Sequence, residues 1–327
     1  MRRLLRPVVL SLLRRGEHEI GERAAQFAIS GSAGRDLVRD LGAAFILGYN
    51  TMLAAASLDE VARVGRAVAV HFRPFFFEGA AMGYLPRGYH AADCRPARAE
   101  AILLDLDSRY RYLYYVGLGF WYGFRHPRRP ARMRGLVSQL DPLLAPLCYD
   151  GFGFKLGFFD FEGDPRTARL LERCPEPGRS CAYQGFGRSM FFVYMDDERG
   201  FQALRGALPE VRRGDLEFGR SLACGFTGVD RPNALVEHVL GAPDPRDREA
   251  RLLGITWALA ARKMNDERYF YECLSRAAPA RRSWLARLPE LCEAARGDAL
   301  GYADWQARTQ RAVLAAWEAT RPVDPCA

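Results

Sequence analysis

The chain has 327 residues, 49% of them hydrophobic and 26% charged, and a formal net charge of +8. This composition supports a sizeable core and excludes a disordered, fibrous or low-complexity chain. The positive charge is almost all arginine, Lys155 and Lys263 being the only lysines, and it is spread along the chain instead of forming the concentrated basic face of a nucleic-acid-binding protein.

At the N-terminus, the apolar run from Val8 to Leu13 is too short for a signal peptide, and Arg14-Arg15 follow where a small-residue cleavage site belongs. A basic amphipathic helix is expected there. No run approaches the roughly 18 apolar residues of a membrane span, so a cytoplasmic protein that does not span a membrane is expected. The chain has eight cysteines but lacks a C-x2-C pair or an H-E-x-x-H motif. Buried free thiols are expected, with no metal and no cofactor.

The 31 glycines are the odd feature, because many interrupt apolar aromatic stretches. Gly48, Gly83, Gly117, Gly151, Gly185, Gly219 and Gly254 recur at intervals of 34 or 35 residues. Flanking residues agree in the middle of the series: Gly117-Leu118-Gly119-Phe120, Gly151-Phe152-Gly153-Phe154 and Gly185-Phe186-Gly187-Arg188. A phenylalanine returns seven residues after the glycine, at Phe124, Phe158, Phe192 and Phe226. Turns follow, such as Gly163-Asp164-Pro165 and Val229-Asp230-Arg231-Pro232, with residues suited to helix N-caps and first turns. Second segments such as Met133-Leu136-Val137-Leu140 and Leu235-Val236-Val239-Leu240 keep three-and-four spacing.

The expected fold is therefore all-α: a solenoid-like αα-hairpin repeat of 34-residue period with terminal capping helices. Residues 1–45 form an N-terminal cap, 46–279 the repeat region and 280–327 a C-terminal cap, all within one elongated domain. The pattern is weak over 83–111, where Tyr84-Leu85-Pro86-Arg87-Gly88 argues against a continuing helix. A rival reading takes Tyr112–Val116 and Phe191–Tyr194 as strands of an α/β fold. The length of the glycine-marked segments favours helix.

Each interior glycine costs a helix about 1 kcal/mol relative to alanine. Pairs four apart, such as Gly119 and Gly123 or Gly153 and Gly157, leave a bare stripe on one helix face. That stripe either lets neighbouring helices stack closely or borders a groove for a flat hydrophobic ligand. Phe120, Trp121, Phe154, Phe186 and Trp257 suit either role.

Polar groups interrupt the apolar sequence beside the glycines. Glu78, Asp150 and Gln184 precede one, and Arg188 and Arg220 follow. Facing carboxylate and guanidinium groups in an apolar groove can orient a ligand or do acid–base work. They equally serve as interhelical ion pairs that set register. Glu78, Asp150 and Arg188 are the candidate catalytic residues. Tyr149, Trp121, Phe154, Lys155, Gln184, Arg220 and Trp257 are the candidate ligand contacts.

Phe77-Glu78-Gly79-Ala80-Ala81-Met82, Tyr115-Val116-Gly117-Leu118-Gly119-Phe120, Tyr149-Asp150-Gly151-Phe152-Gly153-Phe154, Gln184-Gly185-Phe186-Gly187-Arg188-Ser189 and Gly214-Asp215-Leu216-Glu217-Phe218-Gly219 together resemble a bacterial family of unknown function encoded in enediyne polyketide biosynthetic gene clusters. That family often has glycine-histidine-glutamate where this chain has Gly153-Phe154-Lys155, and tryptophan at Glu217. The resemblance implies an accessory role beside an iterative polyketide synthase and supplies no reaction. Two functions follow as expectations. One is binding, with cyclisation or isomerisation, of a hydrophobic polyene or polyketide intermediate. The other is a non-catalytic scaffold that docks the polyketide synthase or sister accessory proteins.

Overall fold

The computed structural model describes residues 13–89 and 95–320. The expected N-terminal basic helix, together with His90, Cys94 and Cys326, lies outside them. Every regular element among the described residues is helical. The segments open to a strand reading are helical too: Tyr112–Val116 lies in one helix, and Phe191–Val193 ends another.

The elements alternate between an inner and an outer layer. After the short α1 (Glu17–Ala24), the inner helices are α2 (Ser32–Ala54), α4 (Arg73–Tyr89), α6 (Arg111–Arg125), α8 (Leu147–Lys155), α9 (Gly178–Val193), α11 (Glu210–Thr227) and α13 (Pro245–Asn265). The outer connections are α3 (Leu58–Ala67), α5 (Pro96–Asp107), α7 (Arg134–Val137), a 3-10 segment (Pro165–Arg173), α10 (Glu198–Ala207), α12 (Pro232–Leu240) and α14 (Glu267–Leu274). The helices α15 (Pro279–Gly297) and α16 (Tyr302–Thr320) complete the chain.

One outer segment is a poorer helix than its spacing predicts. The segment at 130–137 is a 3-10 turn plus four α-helical residues, and Gly135 sits inside it, exposed, where nothing offsets the cost of a helical glycine. Conversely, α4 runs through Pro86. Pro86 stands near the C-terminal end, where its lost N–H costs little beside the burial of Leu85 and the hydrogen bond from Arg87 to the Met52 carbonyl.

Consecutive inner helices pack on one another through their glycines. A Cβ on Gly117 would collide with the Glu78 carbonyl oxygen, and one on Gly151 with that of Val116. Gly185 meets Asp150, Gly219 meets Gln184 and Gly254 meets Phe218 in the same way. In each case the carbonyl belongs to the residue just before the glycine of the preceding inner helix. A reciprocal contact closes three of these crossings: Gly119 on Cys148, Gly153 on Ala182 and Gly187 on Leu216. The glycine hydrogen in the Cβ position points at the carbonyl, the geometry of Cα–H···O contacts between close helices. The bare stripes therefore pack helices. In α4 this role falls to Gly79, which rests on the Phe45 carbonyl, whereas Gly83 meets that of Tyr49.

The row of helices is not elongated, as expected from sequence, but closes on itself. Arg262 of α13 donates to the Phe226 carbonyl at 2.6 Å and to the His71 carbonyl, just before α4, at 2.9 Å. Asn265 reaches the Arg109 carbonyl at 2.7 Å, His71 and the Tyr269 hydroxyl are 2.8 Å apart, and the rings of Phe75 and Phe226 meet edge to face at 5.5 Å. An open row would leave one apolar face of every inner helix in water, and closing the ring buries those faces against each other.

Candidate functional site

The closed ring surrounds a partly open cavity of about 130 Å³ at its hub, walled by residues from α1, α2, α4, α6, α8, α9, α11 and α13. The lining follows one helical register. Counting from the packing glycine of each inner helix, position −4 supplies Phe75, Leu113 and Leu147, and position −1 supplies Glu78, Val116 and Asp150. Position +3 supplies Phe120, Phe154, Arg188, Leu222 and Trp257; position +7 supplies Phe158, Phe192, Phe226 and Ala261. Steps of three and four place these residues in a single stripe, beside the stripe of small residues that packs helices. The recurring phenylalanine visible in the sequence is therefore a cavity wall. Phe124, the remaining member, lines a second cavity.

A π-helical turn, Leu156–Asp160, extends α8. It widens the local register, so that the consecutive residues Phe158 and Phe159 both line the hub cavity. Phe120 and Phe154 lie 5.2 Å apart, and Phe154 stacks on Phe158 at 5.4 Å.

The expected catalytic trio meets in this apolar wall. Arg188 Nη2 lies 3.3 Å from Glu78 Oε1, and Arg188 Nη1 lies 3.1 Å from Asp150 Oδ1. Glu78 and Asp150 are buried, each 3% exposed, and the Arg188 side chain is 11% exposed. The guanidinium also sits 5.0 Å from the centre of the Phe154 ring. The packing glycines help position the acids. The Glu78 backbone is held by Gly117 and the Asp150 backbone by Gly185, so each carboxylate springs from a point where two helices touch.

Burial pushes the Glu78 carboxyl up to about 7; attraction to Arg188 opposes that, and repulsion from Asp150 adds to it. Burial likewise raises Asp150 to about 6 against the pull of Arg188. Burial works against the Arg188 charge as well, but the two carboxylates together outweigh it and keep the guanidinium firmly protonated. Two carboxyls around one cation thus share a site in which one proton can reside.

Of the expected ligand contacts, Phe154 and Trp257 line the cavity. The other five are not among its lining residues. The Tyr149 ring packs on Gly178 at the start of α9, and Trp121 is half-buried against the core. Lys155 pairs with Asp160 at 2.6 Å and lies over the Phe124 ring at 4.9 Å. Gln184 donates to Asp215 at 3.2 Å and accepts from the Tyr302 hydroxyl at 3.3 Å. Arg220 pairs with Glu198 at 2.6 Å over the face of Phe201. Sequence reading missed Val38, Leu41 and Phe45, although their own three-and-four spacing in α2 was a usable signal, and Ile20, whose position carried none.

The described cysteines, from Cys148 to Cys292, carry free thiols. Among the described residues no three His, Cys, Asp or Glu side chains gather as a metal site, and no helix is long and apolar enough to cross a membrane.

No curated protein and no solved structure matches the chain. A family model described as protein of unknown function (DUF1702) matches residues 3–308, and the chain belongs to that family.

Proposed function

We propose that this protein binds a hydrophobic polyene or polyketide intermediate in its hub cavity and rearranges it by proton transfer, as an accessory protein of enediyne biosynthesis. One observation carries the reading: two carboxyls and a guanidinium are set in the wall of an otherwise apolar, aromatic-lined cavity. The likeness of the glycine segments to the enediyne-cluster family supplies the pathway.

Glu78, raised to about 7, is the group that retains a proton near neutrality. Asp150, raised less and paired with Arg188, is the acceptor. In a redox-neutral isomerisation, Glu78 delivers a proton to one terminal carbon of a conjugated unit. The π electrons shift, Asp150 removes a proton from a carbon further along, and the two carboxyls then re-equilibrate around Arg188. Cyclisation differs only in that a second double bond attacks the transient cation before the proton leaves. The apolar wall excludes water that would trap the cation, and the faces of Phe154, Phe158 and Trp257 stabilise it. No cofactor is required. The cavity compares with the ~150 Å³ that accommodates benzene, so it takes one ring-sized portion of such a ligand.

The test is native mass spectrometry of the protein with the polyene released by the synthase, followed by product analysis. A one-to-one complex is expected, with conversion lost in Glu78→Gln and Asp150→Asn while binding persists. No complex at high micromolar ligand overturns the reading. Recovery of the polyketide synthase in pull-downs without ligand binding would favour the scaffold alternative.

A further inference from the structure

A second cavity, of about 70 Å³, adjoins the first and is lined by Arg15, Glu19, Tyr49, Met82 and Phe124 among others. Ile20, Phe45 and Phe159 line both cavities, so these three side chains stand between the two spaces. Ile20 belongs to α1, which is fastened across the ring by a hydrogen bond of 2.6 Å from Arg23 Nε to the Phe158 carbonyl and by another from Arg23 to the Phe161 carbonyl. Phe159 sits in the π-helical turn.

We propose that the two cavities are one elongated site for a single unbranched hydrocarbon chain with a polar head, threaded between Ile20, Phe45 and Phe159. The proposal rests on the reading above that the hub cavity holds a hydrophobic ligand, and it adds the ligand's shape and direction. A compact ring system fills one chamber and cannot span both, whereas a chain of narrow cross-section can. The direction follows from charge. The hub already matches its one guanidinium with two carboxyls, so it offers an anionic head no free cation. The outer chamber ends at Arg15, whose side chain is 42% exposed and pairs with Glu19 at 3.1 Å, an ion pair that an incoming carboxylate can exchange into. The tail therefore lies in the hub and the head at Arg15.

The test uses three probes with the full-length protein: toluene, which fits the hub alone, a conjugated decatetraenoic acid, whose fluorescence rises on burial, and its methyl ester. Phe159→Trp narrows the passage, and Ile20→Phe does so from the opposite wall should the first variant fail to fold. Either folded variant is expected to weaken tetraene binding at least tenfold and toluene binding by a much smaller factor, since both residues also line the hub; an equal loss of the two probes overturns the threaded site. Wild-type tetraene affinity in both variants overturns the threaded site while leaving the hub reading intact. Wild-type protein that binds neither toluene nor tetraene overturns the hub reading itself. Arg15→Gln is expected to weaken the acid severalfold more than the methyl ester. Equal effects on acid and ester overturn the placement of the head.

Discussion

Arg188 and Glu78 lie 110 positions apart in the chain, yet the Arg188 guanidinium stands 3.3 Å from the Glu78 carboxyl inside the hub of the ring. The contact joins α9 to α4, which are not neighbours in the row of inner helices. It exists only because the row closes, and the chemistry proposed for the site depends on it.

The raised Glu78 pKa makes stability depend on pH. The folded value of about 7 exceeds the ordinary 4.5, so between those values the folded state holds more protons than the unfolded one. This contribution to stability is complete below about pH 4.5 and is lost as pH rises through 7. Glu78→Gln should remove it. The wild-type unfolding free energy should fall relative to the variant by up to ~1.4 kcal/mol per pH unit across that window. Urea titrations of both proteins at pH 4.5, 5.5 and 7 measure the difference. The comparison cancels groups such as His71, which burial lowers to about 4 and which acts in the opposite sense. A variant that parallels wild type would refute the assignment.

Replacing Arg188 with methionine leaves Glu78 and Asp150 without their cation. A loss of ~3–5 kcal/mol is expected at pH 8, where both carboxyls must ionise or take up protons at a cost. Below pH 5 both are protonated and most of the loss should be recovered. Thermal melts at the two pH values test this, and an equal destabilisation at both would count against the buried trio.

The packing glycines and the free ones should respond with opposite signs. In Gly185→Ala the new methyl collides with the Asp150 backbone, which cannot yield as a flexible side chain would. Overpacking should cost ~1–3 kcal/mol or more. Gly214, also helical, has nothing within 4 Å of its Cβ position, and Gly214→Ala should stabilise by ~0.4–1 kcal/mol. Chemical denaturation of the pair decides whether glycine is retained for close helix contact.

Phe158 is 6% exposed and lines the cavity. Phe158→Ala should cost ~3–5 kcal/mol and enlarge the hub. Ligands bulkier than toluene should then bind more tightly and raise the melting temperature of the variant more than that of wild type. A differential scanning series with graded alkylbenzenes reads this directly.

Much of the fold was legible because its causes are local. Three-and-four spacing, glycine within aromatic runs and capping turns all point to helices, whereas the recurring phenylalanine was legible only as a period and became a lining face once the helices were packed. The site was legible in part, and Gln184 and Arg220 show why. Gln184 holds position −1, the same as Glu78 and Asp150, yet Asp215 and Tyr302 draw its side chain away from the cavity. Arg220 stands at position +1, two residues short of the +3 register that Arg188 holds, so its helix turns it away from the cavity and toward Glu198. Which partner wins depends on residues supplied by other helices, and spacing along one helix does not encode them.

The sequence alone determined that the chain is helical and that polar residues, Glu78, Asp150 and Arg188 among them, interrupt its apolar segments; it left open whether the glycine stripes pack helices or border a groove. Those properties reside in residue type and local period. Closure of the ring, the cavity it surrounds and the meeting of the three charges were decided by tertiary structure alone. They come from burying one apolar stripe per helix against all the others, a collective gain that no single segment expresses.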